Sequence, residues 1–352
     1  MHRLLTVLAA GSLLAPPLVA QSAPPLSDAQ LTARLARSLD SLAAAGEFSG
    51  AVGLTRAGRV VFERAYGMAD RATNRANTMT TEFNIGSINK IFTEIAIRQL
   101  AAAGKLDLDS TLGHYWPDYP NAAARKATIR QLMQHQAGLG GNIFDPPAGG
   151  QRSDIRHNNQ YLPLFVNDPQ AFPPGTSRRY CNACYVVLGI LIERLSGEDY
   201  YAYIQRHVYA PAGMLHTGSY KLDSLPPNTA IGYTTGLEDA PAGAPTHPNT
   251  GELPGRGSAA GGGYSTIGDL LQFIAALRER KIPQGPPAGI GIAGGSGGLN
   301  AVLEGDLPGG YDLAVTANLD PPAAERVSEM VRKWLGATDG PGPGPGPGPA
   351  TP

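Results

Sequence analysis

The stretch Phe83-Asn84-Ile85-Gly86-Ser87-Ile88-Asn89-Lys90 contains the pattern Ser-x-x-Lys at the start of a predicted helix. The three-residue spacing places the Ser87 hydroxyl and the Lys90 amine one turn apart on the same helical face. Gly104 is expected to end the helix. The buried face of this helix is predicted from apolar residues at near-helical spacing, namely Ile88, Ile91, Phe92, Ile95 and Leu100.

The Ser87–Lys90 pair has a chemical use as well as a structural one. A serine hydroxyl becomes a strong nucleophile when an adjacent base takes its proton, and a lysine amine is such a base when its pKa is lowered. The helix N-terminus adds positive potential and backbone N–H groups that suit a developing oxyanion. Taken alone, the pattern also fits an ordinary helix that begins Gly-Ser and carries one lysine, so the rest of the chain decides.

Composition limits the classes of partner. A chain of 352 residues with 42% hydrophobic content can bury the core of one or two domains. The net charge of −1 argues against a nucleic acid or an anionic membrane chosen by bulk electrostatics. A small-molecule or peptide substrate is the expected partner.

Both ends of the chain differ in composition from the middle. Arg3, the apolar run Leu4 to Leu14 and Leu18-Val19-Ala20 predict a signal peptide over residues 1–20, hence export to the periplasm or the extracellular space. The apolar run is too short for a membrane span, and no later run is long enough. Alternating Pro and Gly predicts a disordered tail over 338–352. Residues 21–337 remain as one folded domain.

Cys181 and Cys184 are the only cysteines. They could form a local disulfide or serve as two small apolar fillers, and we favour fillers slightly because spacing alone does not establish bonding geometry. A thioredoxin-like role would need a surrounding βαβ pattern that the sequence lacks. No metal site and no other cofactor is expected, since neither the cysteines nor the seven histidines have ligand spacing.

The order of predicted elements favours an α+β fold. Short strands near both ends predict an antiparallel sheet built from N- and C-terminal strands and flanked by helices, with a mostly helical second lobe. The Pro/Gly-rich segment 140–174 is expected to form one wall of a cleft. The predicted strands are 49–55, 59–66, 299–304 and 311–317, and the predicted helices are 28–45, 88–103, 127–134, 185–195, 200–210, 267–280 and 322–335.

Two further stretches carry chemistry. In an extended segment residues two apart point the same way, so Tyr180 and Asn182 can both face the cleft. A phenolate near a lysine can shuttle protons, and an asparagine amide can bind a carbonyl. The glycine-rich run 292–298 allows a ligand to lie against the backbone before a strand. Each stretch alone also has an ordinary structural explanation, as a capped buried tyrosine and as a flexible loop.

Together the three stretches resemble the serine β-lactamase and DD-peptidase superfamily, particularly its class C-like hydrolases and esterases. Ser87-x-x-Lys90 matches the first motif, Tyr180-x-Asn182 matches Tyr-x-Asn, and the resemblance covers roughly residues 30 to 336. It implies a β-lactamase/transpeptidase-like fold in which Ser87 is acylated and Lys90 and Tyr180 share the general-base work. Asn182 would bind the substrate carbonyl side. Gly294 and Gly295 would line the substrate, with the N–H groups of Ser87 and Gly295 as the oxyanion hole.

The third motif departs from the family pattern. It usually begins with Lys or His, but the matching position here is Ile292. A basic residue there can help to bind a substrate carboxylate and lower the lysine pKa, so its absence weakens the case for β-lactams. Cys181 and Cys184 also occupy positions where Ser and Gly are more usual in the family.

Two other interpretations were weighed. Gly294-Gly295-Ser296-Gly297-Gly298 matches the Gly-x-Ser-x-Gly elbow of α/β-hydrolases, but that fold needs a helix after the serine and a later histidine. A strand is predicted after Ser296, so we reject it. A catalytically silent module that binds peptidoglycan-type peptides or a protein partner remains the alternative. The preferred interpretation is an exported serine hydrolase that forms an acyl-enzyme with a small ester, amide or peptide.

Overall fold

Five strands from the two ends of the described chain form one antiparallel sheet, in the order β2-β1-β11-β10-β9. The computed structural model describes residues 26–236 and 244–337, so the predicted signal peptide and tail lie outside the described residues. The strands are β1 Gly50–Arg56, β2 Arg59–Tyr66, β3 Met68–Asp70, β4 Arg75–Ala76, β5 Phe83–Asn84, β6 Tyr233–Thr234, β7 His247–Pro248, β8 Tyr264–Ser265, β9 Gly291–Ser296, β10 Leu299–Leu307 and β11 Tyr311–Ala317.

Helices cover both faces of this sheet and build the second lobe. They are α1 Asp28–Ala44, α2 Asn89–Ala102, α3 Leu112–Tyr115, α4 Ile129–Met133, α5 Asn158–Tyr161, α6 Asn182–Ser196, α7 Tyr200–Ile204, α8 Ala210–Ala212, α9 Ile267–Arg278 and α10 Ala323–Trp334. A π-helical segment, Gln205–Tyr209, joins α7 to α8. The predicted α+β fold is confirmed.

The hairpin between β1 and β2 turns through Ala57 and Gly58. Both residues have positive φ, +48° and +75°, as a two-residue hairpin turn with right-handed twist requires. Because β1 pairs with β11 on its other edge, the first and last strands of the domain lie side by side at the centre of the sheet. This pairing brings the two ends of the described chain into one sheet.

Alternation along the strands divides the core into two clusters. Val52, Val302 and Val315 face α1 and α10, whereas Ala301 and Ala314 face α9 and the helical lobe. Helix α1 begins with a capping box, in which the Ser27 side chain accepts from the Gln30 backbone N–H. The result is a three-layer sandwich with one layer continuing into the second lobe.

Several predicted helices have different bounds in the structure, and predicted helix 200–210 is divided into α7, the π-helical segment and α8. Helix α4 spans only Ile129–Met133, since Thr128 caps its start by accepting from the Gln131 N–H. Helix α6 begins at Asn182, three residues before the predicted start. Within residues 26–236 and 244–337, no helix is both long and apolar enough to cross a membrane.

Candidate active site

Ser87 lies in a short 3₁₀ turn, Gly86–Ile88, between β5 and α2. Gly86 has a φ of +49°, and a Cβ at this position would lie 3.1 Å from the Gly295 backbone nitrogen. Only a residue without a side chain lets β9 approach the turn this closely. Ser87 is partly exposed and lines a cavity of about 220 Å³.

Lys90 is buried directly behind this serine. Its Nζ lies 2.9 Å from Ser87 Oγ and donates a hydrogen bond to the Ala260 carbonyl at 2.5 Å. The side chain is 4% exposed. The turn of helix between the two residues therefore places an amine in contact with the hydroxyl and out of contact with solvent.

Burial determines the charge of this amine. Desolvation lowers the pKa of Lys90 well below its ordinary value, although the nearby Glu94 carboxylate acts in the opposite direction. Burial also raises the pKa of Glu94, which accepts a 2.5 Å hydrogen bond from the Tyr185 hydroxyl. Desolvation is the larger of the two effects on Lys90, so the balance favours a neutral amine.

Tyr180 reaches the same serine from the other side. Its hydroxyl donates to Ser87 Oγ at 2.6 Å, and its ring centroid lies 4.7 Å from Lys90 Nζ. Burial raises the pKa of Tyr180 to about 12, while the hydrogen bond with Ser87 opposes the rise. The group is therefore a neutral phenol at physiological pH, in contrast to the phenolate considered from the sequence.

Asn182 is the first residue of α6, whereas the sequence suggested an extended segment. Cys181 is the N-cap of this helix, and its Sγ accepts from the Cys184 backbone N–H at 3.0 Å. Asn182 is partly exposed and lines the same cavity as Ser87. It therefore faces the cleft because the helix begins there.

The interpretation of the two cysteines as unbonded fillers is wrong. Cys181 and Cys184 form a disulfide, with their Cα atoms 5.3 Å apart. The helix start explains this, because an N-cap and the residue three positions later have side chains on one side of the first turn. The bond closes around Asn182 and joins the Tyr180 segment to α6.

His135 supports Tyr180, and sequence reasoning did not select it. Its ring stacks on Tyr180 at 4.8 Å between centroids and lies 5.2 Å from the Tyr185 ring. The Cys181 backbone N–H donates to its Nδ1 at 3.1 Å. Burial lowers the pKa of His135 to about 4, with the charges of Lys90 and Arg178 as smaller causes. The only sequence signal was its place directly after the predicted helix 127–134.

The glycine-rich third stretch is itself strand β9, at the edge of the main sheet. A Cβ on Gly294 would lie 2.2 Å from the Ile85 carbonyl oxygen and 2.6 Å from the Ser87 nitrogen, so the two segments are in backbone contact. Gly295 lines the cavity. Strand β10 follows Ser296 through a tight turn, which agrees with the rejection of an α/β-hydrolase elbow.

Segment 140–174 supplies a wall of the cavity, through Ile143, Phe144, Arg152 and Tyr161. Ile292, in contrast, is partly buried, packs against the larger core cluster and does not line the cavity. Among the residues that the structure describes, no group of three or more His, Cys, Asp or Glu could hold a metal ion.

Comparison with known proteins identifies the family. Residues 35–336 match the family model described as Beta-lactamase. The chain belongs to the β-lactamase family. Both the fold and the order of the three motifs agree with this membership.

The relatives of this family member include binding proteins and an esterase. PbpX of Bacillus subtilis (strain 168), named as a penicillin-binding protein, is 32% identical over 235 residues, 67% of this chain and 56% of its own length. Esterase EstB of Burkholderia gladioli is 28% identical over 283 residues, 72% of this chain and 71% of its own. The crystal structure of a penicillin binding protein from Bacillus halodurans has a TM-score of 0.73 at 27% identity, covering 84% of this chain and 98% of that one. Family and relatives support a serine hydrolase.

Proposed function

We propose that this protein is an exported serine hydrolase that forms an acyl-enzyme on Ser87 with a small ester, amide or peptide. The observation that carries the proposal is the double contact on one hydroxyl. Lys90 Nζ lies 2.9 Å and the Tyr180 hydroxyl 2.6 Å from Ser87 Oγ. A nucleophile with a base and a proton donor both within hydrogen-bond reach is the arrangement that acyl transfer needs.

In acylation, Ser87 Oγ attacks the substrate carbonyl carbon while its proton passes to the neutral amine of Lys90. The new ammonium then returns a proton, through the Tyr180 hydroxyl, to the departing oxygen or nitrogen. A base with a lowered pKa and a phenol with a raised pKa suit these roles, because the lysine begins neutral and the tyrosine begins protonated. Water completes the cycle by attacking the ester on Ser87.

The carbonyl oxygen becomes negatively charged during the attack. The backbone N–H groups of Ser87 and Gly295 are the proposed donors, supported by the close contact between the Gly86 turn and β9. Asn182 is proposed to bind the carbonyl side of the acyl group, and Gly294 to let the substrate lie against β9. These roles follow the family resemblance residue by residue.

Esters or amides are proposed rather than efficient turnover of β-lactams. Ile292 stands where a positive charge would hold a β-lactam carboxylate, and it does not line the cavity. The similarity to a protein named as an esterase agrees with this preference. Export is proposed from the N-terminal sequence alone, and a mature protein that begins at Gln21 would support it.

The test is intact mass after incubation with a fluorophosphonate and, separately, with a penicillin, followed by peptide mapping. We expect a fluorophosphonate adduct on Ser87. A long-lived penicillin adduct would place the protein on the peptidase side, and rapid release would indicate turnover. No adduct from either reagent on folded protein would favour the alternative, a silent module that binds peptidoglycan-type peptides or a protein partner.

A further inference from the structure

The third motif lacks a positive charge, but another wall of the cavity carries one. Ile292 offers no charge, and its side chain packs against the core. Arg152 lines the same cavity as Ser87, on a short 3₁₀ turn, Arg152–Asp154, within segment 140–174. The cleft therefore has a guanidinium on a wall where the family resemblance assigned none.

The position of Arg152 is held from several sides. Its backbone carbonyl accepts from the Gly255 N–H at 3.2 Å. Its guanidinium stacks on the Phe144 ring at 5.3 Å and donates through Nη1 to the Phe144 carbonyl. A mobile arginine side chain loses conformational entropy when it binds a ligand, and this lowers the binding affinity. A guanidinium that already packs on a ring loses less, so it is preorganised for binding.

The guanidinium still has unused donors. Its Nε is buried and has no hydrogen-bond partner in the structure. Among residues 26–236 and 244–337, Arg152 forms no ion pair, whereas Arg156 in the same segment pairs with Asp223 at 2.7 Å. Buried donors in folded proteins are almost always bonded, so the unpaired Nε of an arginine that lines a cleft points to a partner outside the described residues.

Neighbouring charges do not fill this role. Asp145 and Glu252 act on Arg152 through space, but Asp145 accepts from the Asn142 amide and Glu252 pairs with His247 at 3.0 Å. Arg256 also lines the cavity, yet it stacks on the Tyr201 ring at 3.4 Å and donates through Nε to the Ser219 carbonyl. Arg152 therefore differs from Arg256 in having a buried Nε without a partner.

We propose that Arg152 is a binding residue for a carboxylate on the substrate, so that the preferred esters or amides carry a negative charge away from the scissile bond. This inference rests on the proposed function. A guanidinium binds a carboxylate through two parallel hydrogen bonds, which gives direction as well as charge. The positive charge that selects the substrate would thus come from segment 140–174 and not from strand β9.

The experiment compares charged and neutral substrates of matched shape. The first pair is the mono-4-nitrophenyl ester of glutarate against 4-nitrophenyl pentanoate, and the second is 4-carboxyphenyl butyrate against 4-nitrophenyl butyrate. The two pairs put the carboxylate in the acyl group or in the leaving group. Acylation of Ser87 is followed by intact mass, so slow deacylation does not hide the result.

We expect wild-type protein to prefer the charged member of one pair, and Arg152→Gln to lower that preference about tenfold or more while the neutral rate changes little. Arg152→Lys should keep part of the preference, since it keeps charge but not the bidentate geometry. The matched control is Arg156→Gln, which removes the same charge from the same segment at a residue that does not line the cavity.

Two results would overturn the inference: both preferences surviving in Arg152→Gln, or Arg156→Gln lowering them equally. If Arg152→Gln does not fold, the wild type decides, because free glutarate should slow fluorophosphonate labelling of Ser87 and neutral pentanamide should not. Equal effects of the two compounds would reject the carboxylate site. Absence of any Ser87 adduct is a different failure, that of the proposed function itself.

Discussion

Two regions meet at Ser87, and they contribute in different ways. The cluster of Ser87, Lys90 and Tyr180 contributes side chains. The Lys90 amine and the Tyr180 hydroxyl each lie within 2.9 Å of Ser87 Oγ. Strand β9 contributes backbone, since Gly294 and Gly295 have no side chains and Ile292 turns into the core. The proposed chemistry therefore depends on desolvated side chains in one region and on close backbone contact in the other.

Each region places one serine in the cleft, Ser87 or Ser296. Replacing each of them is expected to give the largest difference in activity. Ser87→Ala should abolish fluorophosphonate labelling and lower ester hydrolysis on the order of 10⁴-fold or more, because the nucleophile is removed. The fold should persist, as measured by circular dichroism. Ser296→Ala, at the end of β9, should retain most activity; the reverse outcome would move the nucleophile to the glycine-rich strand.

Within the side-chain cluster, removal of the base should cost the next largest factor. Lys90→Met and Tyr180→Phe are each expected to slow acylation by about 10²–10⁴-fold, the range of general acid–base catalysis. The wild-type rate should fall at low pH, because the amine must be neutral to accept the proton. Since burial lowers the pKa of Lys90, this fall should lie well below the usual range of a lysine.

The measurement is the rate of Ser87 labelling against pH. The acidic limb should remain in Tyr180→Phe and disappear from the residual rate of Lys90→Met. An identical limb in Lys90→Met would assign the titration to another group.

The backbone region can be disturbed by a single methyl group. Gly294→Ala would put a Cβ 2.2 Å from the Ile85 carbonyl oxygen, so β9 must move away from the Ser87 turn. We expect about 10²-fold slower acylation from the displaced oxyanion donor and about 1–3 kcal/mol lower stability. Gly251→Ala is the control, since its Cβ meets nothing within 4 Å. Normal labelling by Gly294→Ala would show that this contact is not needed.

The last expected effect is on stability rather than on rate, and it concerns the support beneath Tyr180. His135 has a folded pKa of about 4 against an ordinary 6.5, so the unfolded state binds more protons between these values. Stability should therefore decrease as pH falls from about 6.5 to about 4, by about 3 kcal/mol for a shift of this size. In His135→Gln this pH-dependent part of the free energy of unfolding should be absent, so its difference from wild type should change with pH. Urea unfolding of both proteins at pH 7.5 and 4.5 measures it, and parallel pH dependence would contradict it.

Local patterns allowed much of the side-chain region to be predicted. Ser87 and Lys90 are three residues apart on one helix, so their contact depends on helical geometry alone. Four of the five strands of the sheet and the turn at Ala57-Gly58 follow from alternation and from turn-forming residues, whereas the glycine-rich β9 was not predicted as a strand. Tyr180 and Asn182 were found through the resemblance of ordered motifs, which spacing alone would not have provided.

Contacts between distant segments could not be predicted in this way. The Ala260 carbonyl that accepts from Lys90 is 170 residues away in the chain. His135 reaches Tyr180 from another segment, and Arg152 is one charged residue among many in the sequence. The Cys181–Cys184 bond was misjudged because the start of α6 was placed three residues late.

The sequence by itself determined the family, the order of the elements and the identity of the reactive groups, because these are encoded in local spacing and motif order. Only the tertiary structure decided their charge states and neighbours. A lysine amine is neutral or charged according to how much water reaches it, and in the folded chain Lys90 is only 4% exposed. Desolvation is a property of the packed chain, and no short stretch of sequence contains it.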